Sequence, residues 1–274
     1  ERFSMASDTP TMRPLLTPAE IEAKAEEAGE TKASLPALRL LVLAILAGAF
    51  IAFGGSFMLL VRSDESLGFA ASQLLGGLVF TLGLFLVLVA GAELFTGNCL
   101  MVAGALSRRY AWTGVLRNWV IVYVGNAIGA VCIAVLFWAA GIFASNHGAV
   151  GEIALSVALT KAGLAPGVAF VRGILCNVLV CLAVWMGFAG QSVSDKLAAA
   201  VLPVVAFVVI GFEHSIANLF FLPLGLLAQY AGVAGTGVLT VAGVGLNLLF
   251  VTAGNIVGGA LVGAAYWFAY KRQR

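Results

Sequence analysis

The chain has 274 residues, 61% of them hydrophobic and 10% charged, with a formal net charge of +2 at pH 7. A soluble domain carries about 25% charged and 45–50% apolar residues, so this composition excludes a soluble globular fold and points to an integral membrane protein. The small net charge, without any cluster of Lys and Arg interleaved with aromatics, argues against a nucleic-acid partner.

Thr17-Pro18-Ala19-Glu20 opens a short helix, with Thr17 as cap, Pro18 at the first helical position and Glu20 completing a capping box. Gly29 is the expected stop. The segment is too polar to insert, and residues 1–36 are expected to form a cytoplasmic N-terminal segment, its helix along the membrane surface or packed beneath the bundle, ahead of a channel domain over 37–274. Its acidic character is unlike a secretory signal. Ala37 to Val61 is the first span, longer than the ~20 apolar residues a bilayer requires. Arg62, Asp64 and Glu65 follow in a polar loop.

Phe69 to Leu106 then runs 38 residues with Glu93 as its only charge. A straight helix of that length reaches roughly 57 Å at 1.5 Å per residue, nearly twice the core thickness of about 30 Å. The run is too short for two full spans and a turn, so an interrupted span is expected, its irregular backbone shielded by protein. Gly91, Thr96, Gly97 and Asn98 mark the interruption.

Arg108, Arg109 and Arg117 form a basic loop before a third span from Trp119 to Phe143. A polar connection with His147, Glu152 and Lys161 leads to a fourth span, Val168 to Ala189, and Ser192 to Lys196 is a short loop. The fifth span contains Glu213-His214; Leu222-Pro223 reads as its interruption and Gly232, Gly235 and Gly237 as a turn. Gly243 to Tyr270 is the last span, followed by Lys271, Arg272 and Arg274. The expected fold is all-α, with six transmembrane helices of which the second and fifth are interrupted. Arg108, Arg109, Arg117, Lys196 and the basic C-terminus share one side, against Arg62 and Lys161 on the other, which places both termini in the cytoplasm.

An ionised side chain in hydrocarbon costs roughly 2.5–3.5 kcal/mol on insertion scales, so Glu213-His214, inside a run from Leu197 to Tyr270 that has no Lys, Arg or Asp, marks a functional site. Glu93 to Asn98 and Glu213 to Asn218 share the pattern Glu-x4-Asn, and Gly125-Asn126 to Gly129 and Gly254-Asn255 to Gly258 share Gly-Asn-x-x-Gly. With three spans per half, the halves enter from opposite sides, giving an inverted repeat over about 37–145 and 166–270 with its site near the midplane. Asn126 and Asn255 read as interhelical hydrogen-bonding residues.

Imidazole changes charge near neutral pH, so His214 is suited to attract an anion or to lend it a proton; a satisfied structural histidine is the alternative. Glu93 and Glu213 would repel an anion and are expected instead to hold backbone N–H groups freed at the breaks, with Asn98 and Asn218 as structural companions. Cys99, Cys132, Cys176 and Cys181 make no CxxC pair, so neither a metal nor a disulfide framework is expected. Only His147 and His214 exist as axial ligands, which disfavours a haem subunit or other membrane enzyme, and no cofactor is expected. The Asn-Pro-Ala pair of a neutral-solute aquaporin is absent.

Glu93-Leu-Phe-Thr-Gly-Asn98, Cys176-Asn-Val-Leu-Val-Cys-Leu-Ala-Val-Trp185 and Gly211-Phe-Glu-His-Ser-Ile-Ala-Asn218 resemble the signatures of the formate/nitrite transporter family, and the similarity runs from about Thr17 to Tyr270. The resemblance implies an aquaporin-like fold, a homopentamer in a bacterial-type inner membrane, and passage of small monovalent anions through each protomer without a cofactor. It implies that Thr96 and His214 flank the substrate, that Asn177 faces the pore and that Lys161 stands at the outer vestibule. Phe80 and Leu84 match the constriction on one side, and Phe207 that on the other. Leu202-Pro203 and the N-terminal helix resemble formate channels, whereas Glu93 and Asn247 to Thr252 resemble nitrite channels. Formate leads, with nitrite, hydrosulfide, acetate and lactate open. Lys161 would draw an anion in, apolar rings would oppose it while charged, and a proton shared with His214 would lower that barrier.

A reporter fused after Arg274 and a tag inserted at Arg108-Arg109 are both expected on the cytoplasmic face. Periplasmic labelling of either one would overturn the orientation.

Overall fold

The computed structural model describes residues 15–271, and every regular element among them is helical. The basic residues Arg272 and Arg274 lie outside that range. Helix α1 (Pro18–Ser34) begins with the expected capping box: Thr17 N donates to Glu20 Oε2 at 2.7 Å, and Glu20 N donates to Thr17 Oγ1 at 3.4 Å. Gly29 does not stop it. A Cβ there would stand 3.0 Å from Tyr110 Cζ, so the glycine serves close packing. Helix α1 is docked against the bundle. Buried Glu26 accepts from Arg109 Nε at 2.7 Å and from Ser107 Oγ, while Lys24 Nζ donates to Phe188 O at 2.8 Å.

Among the described residues, six helical stretches are long and apolar enough to cross a membrane. The first is α2 (Ala37–Arg62). The second is α3 (Phe69–Leu86), prolonged by a π-helical turn, Val87–Gly91. Gly91 has φ +78°, Ala92 and Leu94 are extended, and the chain re-enters a helix as α4 (Phe95–Asn98), a 3-10 turn (Cys99–Met101) and α5 (Val102–Leu106). The third span, α6 (Trp112–Ala139), starts seven residues before the expected Trp119 and ends before Phe143, because Arg117 is absorbed into its first turns and donates from Nη2 to Leu35 O at 3.0 Å. The polar connection is itself largely a helix, α7 (Ala149–Ala162), which carries Glu152 and Lys161. Helix α8 (Pro166–Ala189) is the fourth span and α9 (Val193–Ile210) the fifth.

After α9, Gly211 adopts φ +80° and the chain is non-helical to His214, where α10 (Ser215–Tyr230) begins. Helix α10 runs through Pro223, so Leu222-Pro223 is not a break. Proline fits helical φ and forfeits one backbone bond, which a bundle can compensate. Helix α11 (Val241–Tyr266) completes the spans and ends in a π-helical turn, Trp267–Lys271.

The halves repeat closely. Asn126 Nδ2 donates to Ala44 O and Asn255 Nδ2 to Gly173 O, and both pairs are 82 residues apart in sequence. Asn118 Nδ2 donates to Lys32 O and Asn247 Nδ2 to Lys161 O, both pairs 86 apart. These bonds equate α1 with α7, α2 with α8 and α6 with α11. The tightest packing follows the same symmetry, α2 against α6 and α8 against α11. A Cβ on Gly129 would strike Ile45 O, and one on Gly258 would strike Ile174 O, so the second glycine of each Gly-Asn-x-x-Gly motif permits backbone contact.

Overpacking such a contact costs typically ~1–3 kcal/mol. Gly258→Ala is therefore expected to lower thermal stability in detergent by about that amount, whereas Gly245→Ala, which faces open space, should leave it unchanged. Equal melting temperatures for the two variants would remove the close-contact role.

Candidate pore site

A helix broken inside a bundle leaves backbone groups that water cannot reach. At the first break, Phe95 N donates to Asn126 Oδ1 at 2.9 Å, and Asn126 Nδ2 donates to Ala44 O at 2.7 Å and Glu93 O at 2.9 Å. At the second, Ser215 N donates to Asn255 Oδ1 at 2.8 Å, and Asn255 Nδ2 donates to Gly173 O at 2.8 Å and Glu213 O at 2.9 Å. A carboxamide is suited to this because it offers donors and an acceptor on one side chain. Glu93 and Glu213 do not take the freed N–H groups as expected; the two asparagines do, since a carboxylate accepts only and the breaks also present carbonyls.

The glutamates close two matching rings. Lys32 Nζ meets Glu93 Oε1 at 2.7 Å, Asn98 Nδ2 donates to Glu93 Oε2 at 2.7 Å and to Asn118 Oδ1 at 2.9 Å, and Asn118 returns to Lys32 O at 3.3 Å. In the other half, Lys161 Nζ meets Glu213 Oε1 at 2.9 Å, Asn218 Nδ2 donates to Glu213 Oε2 and Asn247 Oδ1, both at 2.7 Å, and Asn247 returns to Lys161 O at 2.8 Å. Buried carboxylates thus gain a cation and amide donors, which offset their lost hydration. Lys32 was missed in the sequence because it lies in the polar N-terminal segment. The signal was its spacing to Lys161, 129 positions, the same as Asn126 to Asn255.

His214 caps α10. Its Nδ1 accepts from Ala217 N at 3.0 Å, and its Nε2 lies 2.9 Å from Thr96 Oγ1. An amide N–H only donates, so Nδ1 carries no proton, the ring is neutral, and Nε2–H donates to Thr96 Oγ1. Thr96 is held from behind: its carbonyl accepts from Asn177 Nδ2 at 3.1 Å and Cys181 Sγ at 3.4 Å. Asn177 also donates to Asn255 O at 2.6 Å and is fully buried. It therefore sits behind Thr96 rather than on a cavity wall, contrary to the expected pore-facing position, because its amide is committed to two carbonyls.

Two cavities approach this point. One, of about 290 Å³, is bordered by Lys161, Glu213, His214 and Phe221; the other, of about 310 Å³, by Lys32, Glu93, Leu94 and Asn98. Between them is a space of about 10 Å³ walled by Phe80, Leu84, Leu94, Phe207 and His214. Phe80 and Phe207 do not stand on opposite sides as expected. Their rings meet edge to face at 6.0 Å and both border the Lys161 cavity, with Phe207 stacked on His214 at 5.9 Å. Leu94 forms the other wall, a role not expected from the sequence. It precedes α4 as His214 precedes α10, so the repeat itself pointed to it. Arg172, also unremarked in the sequence, borders the Lys161 cavity together with Arg62.

The sequence profile described as formate/nitrite transporter matches residues 19–268. The formate channel FocA of Escherichia coli K12 is 40% identical over 273 residues, covering 94% of this chain and 96% of that protein. Among solved structures, an FNT family ion channel superposes with TM-score 0.82 at 30% identity, covering 91% of this chain and 98% of its own. A structure described as a pentameric formate channel with formate bound gives 0.75 at 35% identity, covering 86% and 98%. With six apolar spans, paired vestibules and this likeness over nearly its whole length, the chain is a multi-pass integral membrane protein that belongs to the formate/nitrite transporter family.

Proposed function

We propose that the chain is a channel for small monovalent weak-acid anions, with formate the leading substrate. The observation that carries this reading is His214, which walls the space of about 10 Å³ where two vestibules converge and whose Nε2 lies 2.9 Å from Oγ1 of the buried Thr96 behind it. That volume is close to the room one water needs. An anion crossing there sheds hydration and meets His214, and formate or nitrite fits with less displacement than acetate or lactate. Because Thr96 Oγ1 accepts from His214, its own hydrogen is left over, and a small turn of the His214 ring would open it to the anion and replace part of the lost hydration.

A neutral imidazole that gave up its Nε2 proton would become an imidazolate, so net proton transfer to the anion starts from the imidazolium. Forming that state adds a proton to Nδ1 and breaks the bond from Ala217 N. Protonation therefore has to come from the vestibules, and it grows as pH falls. A likeness to a pentameric formate channel supports a homopentamer with a path in each protomer and a transport rather than catalytic role. The basic loops support a cytoplasmic-membrane location with both termini inside, residues 1–36 lying on the cytoplasmic side of the channel domain 37–274.

Formate flux is expected to rise as pH falls for the wild type, and to lose that dependence in His214→Asn, which keeps polarity but cannot titrate. Superimposable flux–pH curves at matched protein density would reduce His214 to a capping residue.

Lys161→Ala strands the Glu213 carboxylate, so it is expected to cost about 3 kcal/mol, the low end for a broken buried pair because vestibule water reaches Lys161. Flux should fall at every ionic strength, and adding Glu213→Gln should restore melting temperature and part of the flux. A defect confined to low salt would mean that Lys161 only steers anions.

A further inference from the structure

Lys161 is engaged with Glu213, so the uncompensated positive charge of its vestibule lies elsewhere. Arg62, at the end of α2, and Arg172, in the second turn of α8, border the same cavity, and neither makes an ion pair among the described residues. Arg172 donates one bond, Nη1 to Gly211 O at 3.3 Å. The stem of Arg62 lies across Gly76, with Cγ 3.2 Å from where a Cβ would stand, so packing seats the side chain without a counter-charge. Asp64 and Glu65 are near in sequence but do not border the cavity, and Asp64 Oδ1 is taken up by Ser66 N and Oγ at 2.9 and 2.6 Å.

The repeat separates what the fold needs from what these arginines add. Glu213 N donates to Arg172 O at 3.3 Å, as Glu93 N donates to Leu43 O at 3.2 Å. Leucine serves the backbone equally well in the first half, so the guanidinium at 172 is not a requirement of the break. The vestibules differ accordingly. Among the described residues, Lys32 and Glu93 are the only ionised groups bordering one, and they cancel. Arg62, Lys161 and Arg172 face Glu213 in the other, an excess of two positive charges.

We propose that Arg62 and Arg172 form a capture station for planar monovalent oxyanions, carboxylates above all, on the Lys161 side, making the two faces of the channel kinetically unequal. This rests on the channel reading above. Guanidinium presents paired N–H donors that match a carboxylate's two oxygens. In a water-filled vestibule each contact is weak, worth about a two- to fivefold change in affinity, which suits a site that must also release its ion. A passive pore cannot shift an equilibrium. At zero membrane potential the ratio of maximal flux to half-saturation concentration is therefore equal from both faces. Tighter capture on the Lys161 face then implies a proportionally lower maximal flux from that face.

The test measures labelled formate flux in right-side-out and inside-out membrane vesicles containing the full chain, with the membrane potential collapsed. Protease access to a C-terminal tag marks the Lys32 face, since Trp267–Lys271 packs against α1. The wild type is expected to half-saturate at several-fold lower formate from the Lys161 face at low salt, the gap narrowing toward ~0.15 M, where charges are screened beyond about 8 Å. Arg62→Gln with Arg172→Gln should raise half-saturation on that face about fivefold or more and leave the other face unchanged; the double Lys variant should keep the salt-dependent part only. Equal half-saturation from both faces of the wild type, a result needing no variant, overturns the station, as does a double Gln variant that keeps the asymmetry. A wild-type channel that carries no formate at all overturns the channel reading and the station together, whereas symmetric formate flux sinks the station alone.

Discussion

Backbone amides exposed by a broken helix find no water inside a bilayer, and here each break is held by one asparagine. Asn126 and Asn255 take a donor from the re-entering helix and give two donors to carbonyls, one on the neighbouring span and one on the glutamate at the break. Each unmet group would cost on the order of 1–3 kcal/mol. The clamp also fixes position. Once α4 and α10 begin where they do, Thr96, Leu94 and His214 are delivered to the centre of the molecule.

The two ionised rings then set the electrostatics around that centre. Lys32 with Glu93 and Lys161 with Glu213 leave each carboxylate neutralised, so neither repels an approaching anion as an isolated glutamate would. Symmetry stops at the middle. Leu94 and His214 occupy corresponding places before α4 and α10, yet one is apolar and the other an imidazole. The neutral tautomer follows from a single bond, Ala217 N to Nδ1, which leaves Nε2–H for Thr96. A duplicated scaffold thus carries one polar contact at its narrowest point instead of two.

Much was legible in the sequence because hydrocarbon punishes polar groups so heavily that the survivors stand out. The six apolar runs follow from composition, and Glu93, Glu213, His214 and the asparagines of the paired Gly-Asn motifs stand out as exceptions within them. So does the repeat, since both halves obey the same bilayer constraint. What remained hidden was pairing across distance. Lys32 carries no signal of its own within the polar N-terminal segment, and only the fold brings it to Glu93, 61 residues away. The family resemblance implies a pore-facing Asn177, and only the fold commits its amide to Thr96 and Asn255 carbonyls. Pro223 looked like a break, but backbone torsion is decided by the surrounding bundle, and it lies in continuous helix. Composition and spacing determined the class, the spans and the polar residues that matter. Tertiary structure decided which of them meet, because a hydrogen bond depends on angströms between side chains that the order of residues does not encode.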